Sequence, residues 1–295
     1  MKKTTMLLIL VASLVLACLL VSCREEKPAE VTEENTTLST TCSPVTTTYD
    51  EIDPALKAGL VYRVNADRKT CTIMESYVRQ MTSIKLPAYV DGYKITAIDD
   101  SAFSEFTQLE SIIISDGVES IGLSAFRGCK ALKHIELPDS VKYIGESAFY
   151  NCSSLESIRI PKGVNEISDY TFDNCKSLKS VTFHGEITRI GDYAFRFCDI
   201  EGCLDLSGKL VHVGKAAFLD NEKIETIILP KTLEYIASRA FDKTLLETRK
   251  KIIVFEGTMD EFDEIEKGED WFPNCLPKET IVCCSDGNIH FFRKF

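Results

Sequence analysis

The stretch Ile144-Gly145-Glu146-Ser147-Ala148-Phe149-Tyr150-Asn151-Cys152-Ser153-Ser154-Leu155 decides the fold, because its apolar landmarks return along the chain every 23 residues. Phe103, Phe126, Phe149, Phe172, Phe195, Phe218 and Phe241 are equally spaced, with no insertion between them. Ile98, Ile121, Ile144, Ile167, Ile190, Val213 and Ile236 keep the same interval five residues earlier, and alanine precedes every one of these phenylalanines except Phe172. Self-similarity at a fixed period of this size marks a stacked repeat architecture.

Upstream of these landmarks, Ile112, Ile135, Ile158, Val181, Leu204 and Ile227 each stand two residues before a second apolar residue: Ile114, Leu137, Ile160, Phe183, Leu206 and Leu229. Period-two spacing places both sets on one face of a strand, towards a core. Pro138, Pro161 and Pro230 follow directly and end the strand, because proline has no N–H for the ladder. Val118, Val141, Val164, Ile187, Leu210 and Leu233 then precede the isoleucine track by three residues, and Leu109, Leu132, Leu155 and Leu178 follow the phenylalanines by six. A unit of 23 residues is too short for a strand, a full helix and two loops, so the return path is expected to be extended with at most one helical turn. Gly122, Gly145 and Gly191 recur with that turn and need no phosphate-binding role. Seven such units stacked at the inter-strand spacing give a body about 34 Å long.

Outside the repeat, Leu60, Tyr62 and Val64 alternate with polar residues, 65–69 is turn-like and the alternation resumes over 70–73, which predicts a β-hairpin that closes the first turn of the stack. The first turn, containing Ile84, Leu86, Tyr93, Ile95 and Ile98, carries extra residues around Asp91 and Gly92. At the other end, Thr258 and Glu261 form a capping box and Met259, Phe262 and Ile265 share a helical face, which predicts a C-terminal capping helix stopped at Gly268 and backed by Trp271 and Phe272. The acidic residues of that segment do not have the alternate spacing of a calcium loop.

The N-terminus has a different character. Lys2 and Lys3 precede an apolar run from Met6 to Val21, and Leu20, Val21, Ser22 and Cys23 fit the lipobox pattern, ahead of Cys18 as the alternative. Residues 1–22 are therefore expected to be a lipoprotein signal peptide, with Cys23 as the lipidated residue and the link to a membrane. Residues 23–58 are poor in large apolar side chains and rich in threonine, which makes them a tether of about 35 residues reaching roughly 30 Å. The remaining boundaries are 59–83 for the N-terminal cap, 84–250 for the solenoid and 251–295 for the C-terminal cap. The net charge of −11 becomes −13 without the first 22 residues, since 32 basic side chains then face 45 acidic ones. That sign excludes a nucleic-acid partner, which needs clustered lysine and arginine.

The order isoleucine, Gly-x-x-Ala-Phe, cysteine, leucine, as in Ile144, Gly145, Ala148, Phe149, Cys152 and Leu155, resembles the BspA-like leucine-rich repeat family over roughly Ile84 to Ile289. The tail agrees, with Phe255 to Thr258, the acidic helix, Trp271 and Cys284 to Gly287 in the places of the family's usual ending. The resemblance implies an α/β leucine-rich repeat solenoid, β-rich, with parallel strands stacked turn on turn. It also implies a bacterial surface or secreted protein, some relatives being implicated in binding host matrix proteins or other cells. Two positions depart from the pattern: Thr171 replaces the alanine, and Glu201 replaces a closing leucine, with Ile200 beside it.

Chemistry-bearing residues are few. Cys129, Cys152, Cys175 and Cys198 form a further 23-residue track with Phe106 and Asn221 at its ends, expected to be buried thiols that fill a corner of the coil. Cys42, Cys71, Cys203, Cys275, Cys283 and Cys284 are the better candidates for oxidation. No Cys-x-x-Cys pair with nearby histidine suggests a metal, no cofactor motif is present, and His134, His184, His212 and His290 accompany no nucleophile motif, so an enzyme is not expected. What remains is outward surface in rows: Ile113, Glu136, Arg159, Thr182, Asp205 and Ile228 on the strands, His134 in the adjoining row, and Tyr143, Glu166, Arg189, His212 and Tyr235 on the second extended piece. Varied rows over an almost invariant core suit a scaffold that presents a surface to a protein ligand. A structural component tethered by lipid but facing the periplasm is the alternative.

Overall fold

The computed structural model describes residues 52–244, 251–271 and 280–291, which fall within one compact unit. The chain coils into a β-solenoid in which each turn contributes a strand of three to six residues to a first face, and turns after the first contribute a two-residue strand to a second face. The first face runs through Ser83–Leu86, Ser111–Ile114, His134–Glu136, Ser157–Ile160, Ser180–Phe183, Gly202–Asp205, Ile224–Leu229, Lys251–Phe255 and Thr280–Cys284, in three consecutive sheet segments. Its register is that of the repeat: Ile112 pairs with Ile135, Ile158 with Val181, Leu204 with Ile227. The second face is made of two-residue strands such as Tyr143–Ile144, Glu166–Ile167 and Arg189–Ile190, again parallel and in register.

The phenylalanine column is the axis of the core. All seven rings are fully buried, and successive centroids lie 5.3, 5.4, 5.3, 5.2, 5.3 and 5.5 Å apart with planes within 10° of parallel. The isoleucine track is buried to the same degree, and each ring placed this way is worth about 1.5–3 kcal/mol of transfer free energy before stacking is counted. The cysteine track behaves as a thiol column: Cys129, Cys152, Cys175 and Cys198 each donate their S–H to the carbonyl of the phenylalanine one turn earlier, at 3.2–3.3 Å. Asn221 takes the same place with an amide, donating to the Phe195 and Phe218 carbonyls at 2.8 and 2.9 Å. The buried carbonyl that needs a partner thus explains why the column is polarisable rather than aliphatic.

Each turn bends through two left-handed residues, one two positions before the phenylalanine and one two positions after, as at Ser147 and Asn151, where φ is +56° and +60°. Glycine serves a different need. A Cβ on Gly145 would come within 2.7 Å of the backbone of Gly122 and Leu123, so glycine here allows the turns to approach closely. The fourth turn has Ser168 in this place, and its hydroxyl donates to the Ile144 carbonyl at 2.8 Å. The second face is divided at this point, the strands up to Tyr143–Ile144 and those from Glu166–Ile167 belonging to separate sheets. Thr171, the residue that interrupts the alanine track, is satisfied locally by donating to the Ser168 carbonyl at 2.7 Å.

The predicted hairpin forms from Leu60–Val64 and Thr70–Ser76, antiparallel, and Thr70–Ser76 also pairs in parallel with Tyr93–Ile98, so the hairpin extends the second face. The extra residues of the first turn make a small hairpin, Tyr89–Val90 against Tyr93–Ile98, whose Asp91-Gly92 loop has φ of +47° and +85° as a tight primed turn requires. Asp91 ties it to helix α1 (Pro54–Gly59) through Lys57 at 2.6 Å, and accepts from the Tyr62 hydroxyl at 2.8 Å. At the other end, helix α2 (Met259–Glu264) has the expected capping box, but it lies inside an eighth turn, between Lys251–Phe255 and the short strand Glu266–Lys267. Gly268, Asp270 and Trp271 there repeat the roles of the glycine, the left-handed residue and the alanine: Gly268 N–H donates to Ile236, Asp270 has φ +53°, and the Trp271 carbonyl accepts from Phe241. The stack continues past α2 to Thr280–Cys284, which pairs antiparallel with Gly287–Phe291. Phe272 lies outside the described residues.

Neighbouring turns are also stitched by side chains one repeat apart. Lys133 meets Glu110 at 2.9 Å, Lys142 meets Glu119 at 2.8 Å, Lys209 meets Glu186 at 2.6 Å and Lys243 meets Asp220 at 3.1 Å. The first three pairs are exposed and screened by solvent, so each adds little, whereas Asp220 is half-buried beneath its lysine. Arg196 with Asp173 is different. The carboxylate is only 1% exposed and receives two bonds, at 3.0 and 2.6 Å. Arg196→Met is expected to lower stability by about 2 kcal/mol, the scale of losing charge-assisted bonds to a buried acceptor. Asp173→Leu combined with Arg196→Met should recover most of it, since Leu219 already occupies that position in another turn; thermal unfolding of the two variants is the check, and equal losses would contradict the buried-pair account.

Candidate interaction surface

The alternation that buries one side of each first-face strand leaves the other side free. Ile113 is 40% exposed, and Glu136, Arg159, Thr182 and Asp205 follow it along the row in pairs the register fixes, Ile113 with Glu136 and Arg159 with Thr182. Arg159 is held by Asp139 at 2.9 Å, which also attracts Lys162 at 3.6 Å. His134 is exposed in the adjoining row beside Ser111, whose hydroxyl donates to that of Ser83 at 2.9 Å.

Ile228, expected in the exposed row, is 7% exposed and does not belong to it. The row turns apolar there: Ile228 faces Val254, which faces Cys283, also 7% exposed, and the adjoining Thr226 is buried too. A strand whose outer neighbours are aliphatic shields them mutually, so the exposed part of the face ends near Asp205.

On the second face, Tyr143 is 56% exposed and Glu166, Arg189, His212 and Tyr235 continue the row in register. Arg189 donates to Glu166 at 2.6 Å and to Asp169 at 3.3 Å, and His212 stacks on Tyr235 with ring centroids 4.8 Å apart. Burial, followed by the Arg189 charge, lowers the pKa of His212 and favours the neutral ring. Next to this row lies a group that sequence reasoning missed. Tyr170 and Tyr193 stack at 4.9 Å, and the Arg196 guanidinium sits 4.6 Å from the Tyr193 ring and 5.1 Å from that of Phe197, which is 41% exposed. The signal was available: Tyr170, Tyr193 and Phe197 are the aromatic residues in two columns that every other turn fills with small, polar or charged residues.

Among the described residues, three thiols of the buried column are held back from ionisation and are poor nucleophiles. Burial drives Cys152, Cys175 and Cys198 well above the ordinary thiol range. Cys71, expected among the oxidisable cysteines, is as buried as the column, with its pKa raised to about 11 by burial, and Cys283 is buried as well. Cys23, Cys42 and Cys275 lie outside the described residues.

In-register columns of leucine, isoleucine, phenylalanine and cysteine around a parallel β-coil define a leucine-rich repeat protein. The chain belongs to the BspA-type leucine-rich repeat family, whose repeat region matches residues 76–201 and 154–276 in six copies. Among solved structures, it is similar to a leucine-rich cell surface protein of Faecalibacterium prausnitzii, with 22% identity over 79% of this chain and 76% of that one and a TM-score of 0.53. A leucine-rich repeat protein of T. pallidum has 22% identity over 76% of this chain and 83% of that one, at a TM-score of 0.49. One of Bacteroides capillosus has 30% identity over 43% of this chain and 95% of that one, at 0.37. No curated protein matches the chain.

Proposed function

We propose that this chain is a non-enzymatic, lipid-anchored protein of the bacterial cell surface, whose solenoid presents an extended face to a protein ligand on host matrix or on other cells. The observation that carries the reading is the contrast within each turn. Inward positions repeat the same residue from turn to turn, whereas the outward rows, including Ile113, Glu136, Arg159, Thr182 and Asp205, change chemistry at every step while keeping their register. Side chains free of packing and aligned in rows are what repeat scaffolds use for recognition. The anchor is the Cys23 lipobox and the spacer is the threonine-rich segment that follows. The surface location draws further support from the family and from the Faecalibacterium relative, a cell surface protein by description.

Protease treatment of intact cells that make the chain should release the solenoid, and Cys23→Ala should abolish its retention in the membrane fraction. The purified solenoid should then bind immobilised matrix proteins or cell surfaces. Protection of the domain from external protease would place it inside the envelope and remove the adhesive reading.

A further inference from the structure

We propose that the turn edge centred on Phe197, Tyr193 and Tyr170 is the docking site for the protein ligand, and that it takes a cationic segment carrying aromatic or large apolar side chains. This rests on the reading that the solenoid binds protein, and it moves the centre of recognition from the strand rows to the edge beside the second face.

The first support is conformational. Tyr170, Tyr193 and Phe197 all have φ of +57°, a left-handed backbone that bulky side chains seldom hold. The column of Tyr170 and Tyr193 has serine at 101, 124 and 147, alanine at 216 and arginine at 239, and that of Phe197 has glutamate at 105, glycine at 128, asparagine at 151 and 174, aspartate at 220 and lysine at 243, with no aromatic residue in any other turn. The bend is therefore made without aromatic rings in the neighbouring turns, and the three rings cluster in two consecutive turns. Residues that break a repeat's local preference at one place point to function there.

The second support is chemical. Phe197 is 41% exposed, and Arg196 is fixed between its ring and that of Tyr193 by the buried Asp173. Rigid tyrosine, phenylalanine and arginine side chains are the residues that concentrate binding energy at protein interfaces, and a preformed stack loses little entropy on docking. The third is charge. The column Glu146, Asp169, Asp192 and Lys215 stands one residue before that of Tyr170 and Tyr193 in each turn, with Glu166 and Arg189 paired beside it; because the buried Asp173 already neutralises Arg196, these groups leave a surplus of acid that complements lysine and arginine. Asp169 accepts from the Asp192 N–H at 2.9 Å and from Arg189 at 3.3 Å, which links the edge to the second-face row.

The test uses the variants Tyr193→Ser and Phe197→Asn, which introduce residues already standing in those columns and leave the charge unchanged. The probes are a decapeptide of alternating lysine and phenylalanine and its glutamate–phenylalanine counterpart, titrated calorimetrically into the full chain. The basic peptide should bind saturably, weaken at least tenfold in the double variant and lose much of its salt dependence in Asp192→Asn; the acidic peptide should not bind. Equal affinity of wild type and double variant, or no saturable binding, overturns the proposal. Adhesion of cells to the immobilised protein separates it from the broader reading. Adhesion that the double variant retains in full removes this site alone, whereas a chain that binds the peptide at this edge but adheres to no cell keeps the site and removes the adhesive role.

Discussion

Phe149→Ala should lower the stability of the solenoid by about 3–5 kcal/mol, at the upper end for a single truncation, and should divide its unfolding in two. The ring is fully buried and is stacked on Phe126 at 5.4 Å and on Phe172 at 5.3 Å, so its removal opens a void and breaks the column in the middle at once. Each turn of a solenoid is stabilised only by its neighbours, and a weakened central interface lets one side unfold before the other. In urea, the transition should move to lower concentration and broaden or become biphasic. Tyr143→Ala, in the same turn but 56% exposed, should shift the midpoint little, and a loss for Phe149→Ala no larger than that of Tyr143→Ala would mean that the rings do not hold the stack together.

The second large effect is alkaline unfolding. Burial raises Cys152, Cys175 and Cys198 well above the ordinary thiol value, whereas in the unfolded chain the same thiols ionise near pH 8.5. The folded-state pKa is the raised one, so the stability these groups contribute is fully present below the unfolded value and is lost as pH rises above it, because the unfolded state then releases protons that the folded state retains. Three such thiols together should make the unfolding free energy fall by about 4 kcal/mol per pH unit once the unfolded thiols are mostly ionised. Urea titrations between pH 7 and pH 10.5 should be flat to about pH 8 and then fall steeply. Cys175→Ser, which keeps a hydroxyl donor for the Phe149 carbonyl, should remove about a third of that slope; an unchanged slope would assign the alkaline sensitivity to other groups.

Much of this architecture is legible in the sequence because the solenoid writes every core contact at a fixed interval. The phenylalanine, isoleucine and cysteine columns are each visible as residues 23 apart, and the strand faces follow from simple alternation around Ile158 and Ile160. The parts that were not legible are those where the period carries no side-chain signature. The left-handed position after the phenylalanine is filled by glutamate, glycine, asparagine, phenylalanine, aspartate and lysine, and only the backbone reveals that these share one conformation. Ile228 keeps the phase of an exposed row, but its exposure depends on Val254 and Cys283 in later strands, which lie outside the regular interval. The capping box of α2 was readable, but its place inside an eighth turn was not, because the helix lengthens that turn and breaks the count. The candidate surface divides the same way: the strand rows follow from arithmetic, and the Tyr193, Arg196 and Phe197 stack follows from three-dimensional proximity across the turn.

The uniform columns make adjacent coils interchangeable. Excising residues 157–179 would bring Phe195 onto Phe149 and Cys198 onto the Phe149 carbonyl, the same joint that exists everywhere else. Duplicating that segment would likewise need no new seam. The gene can therefore lengthen, shorten or shuffle its coils by recombination with little change to the core columns, and each event rewrites mainly the exterior, placing Arg189 beside Tyr143 instead of Glu166, for instance. Selection on what the molecule touches is in this way separated from selection on whether it folds.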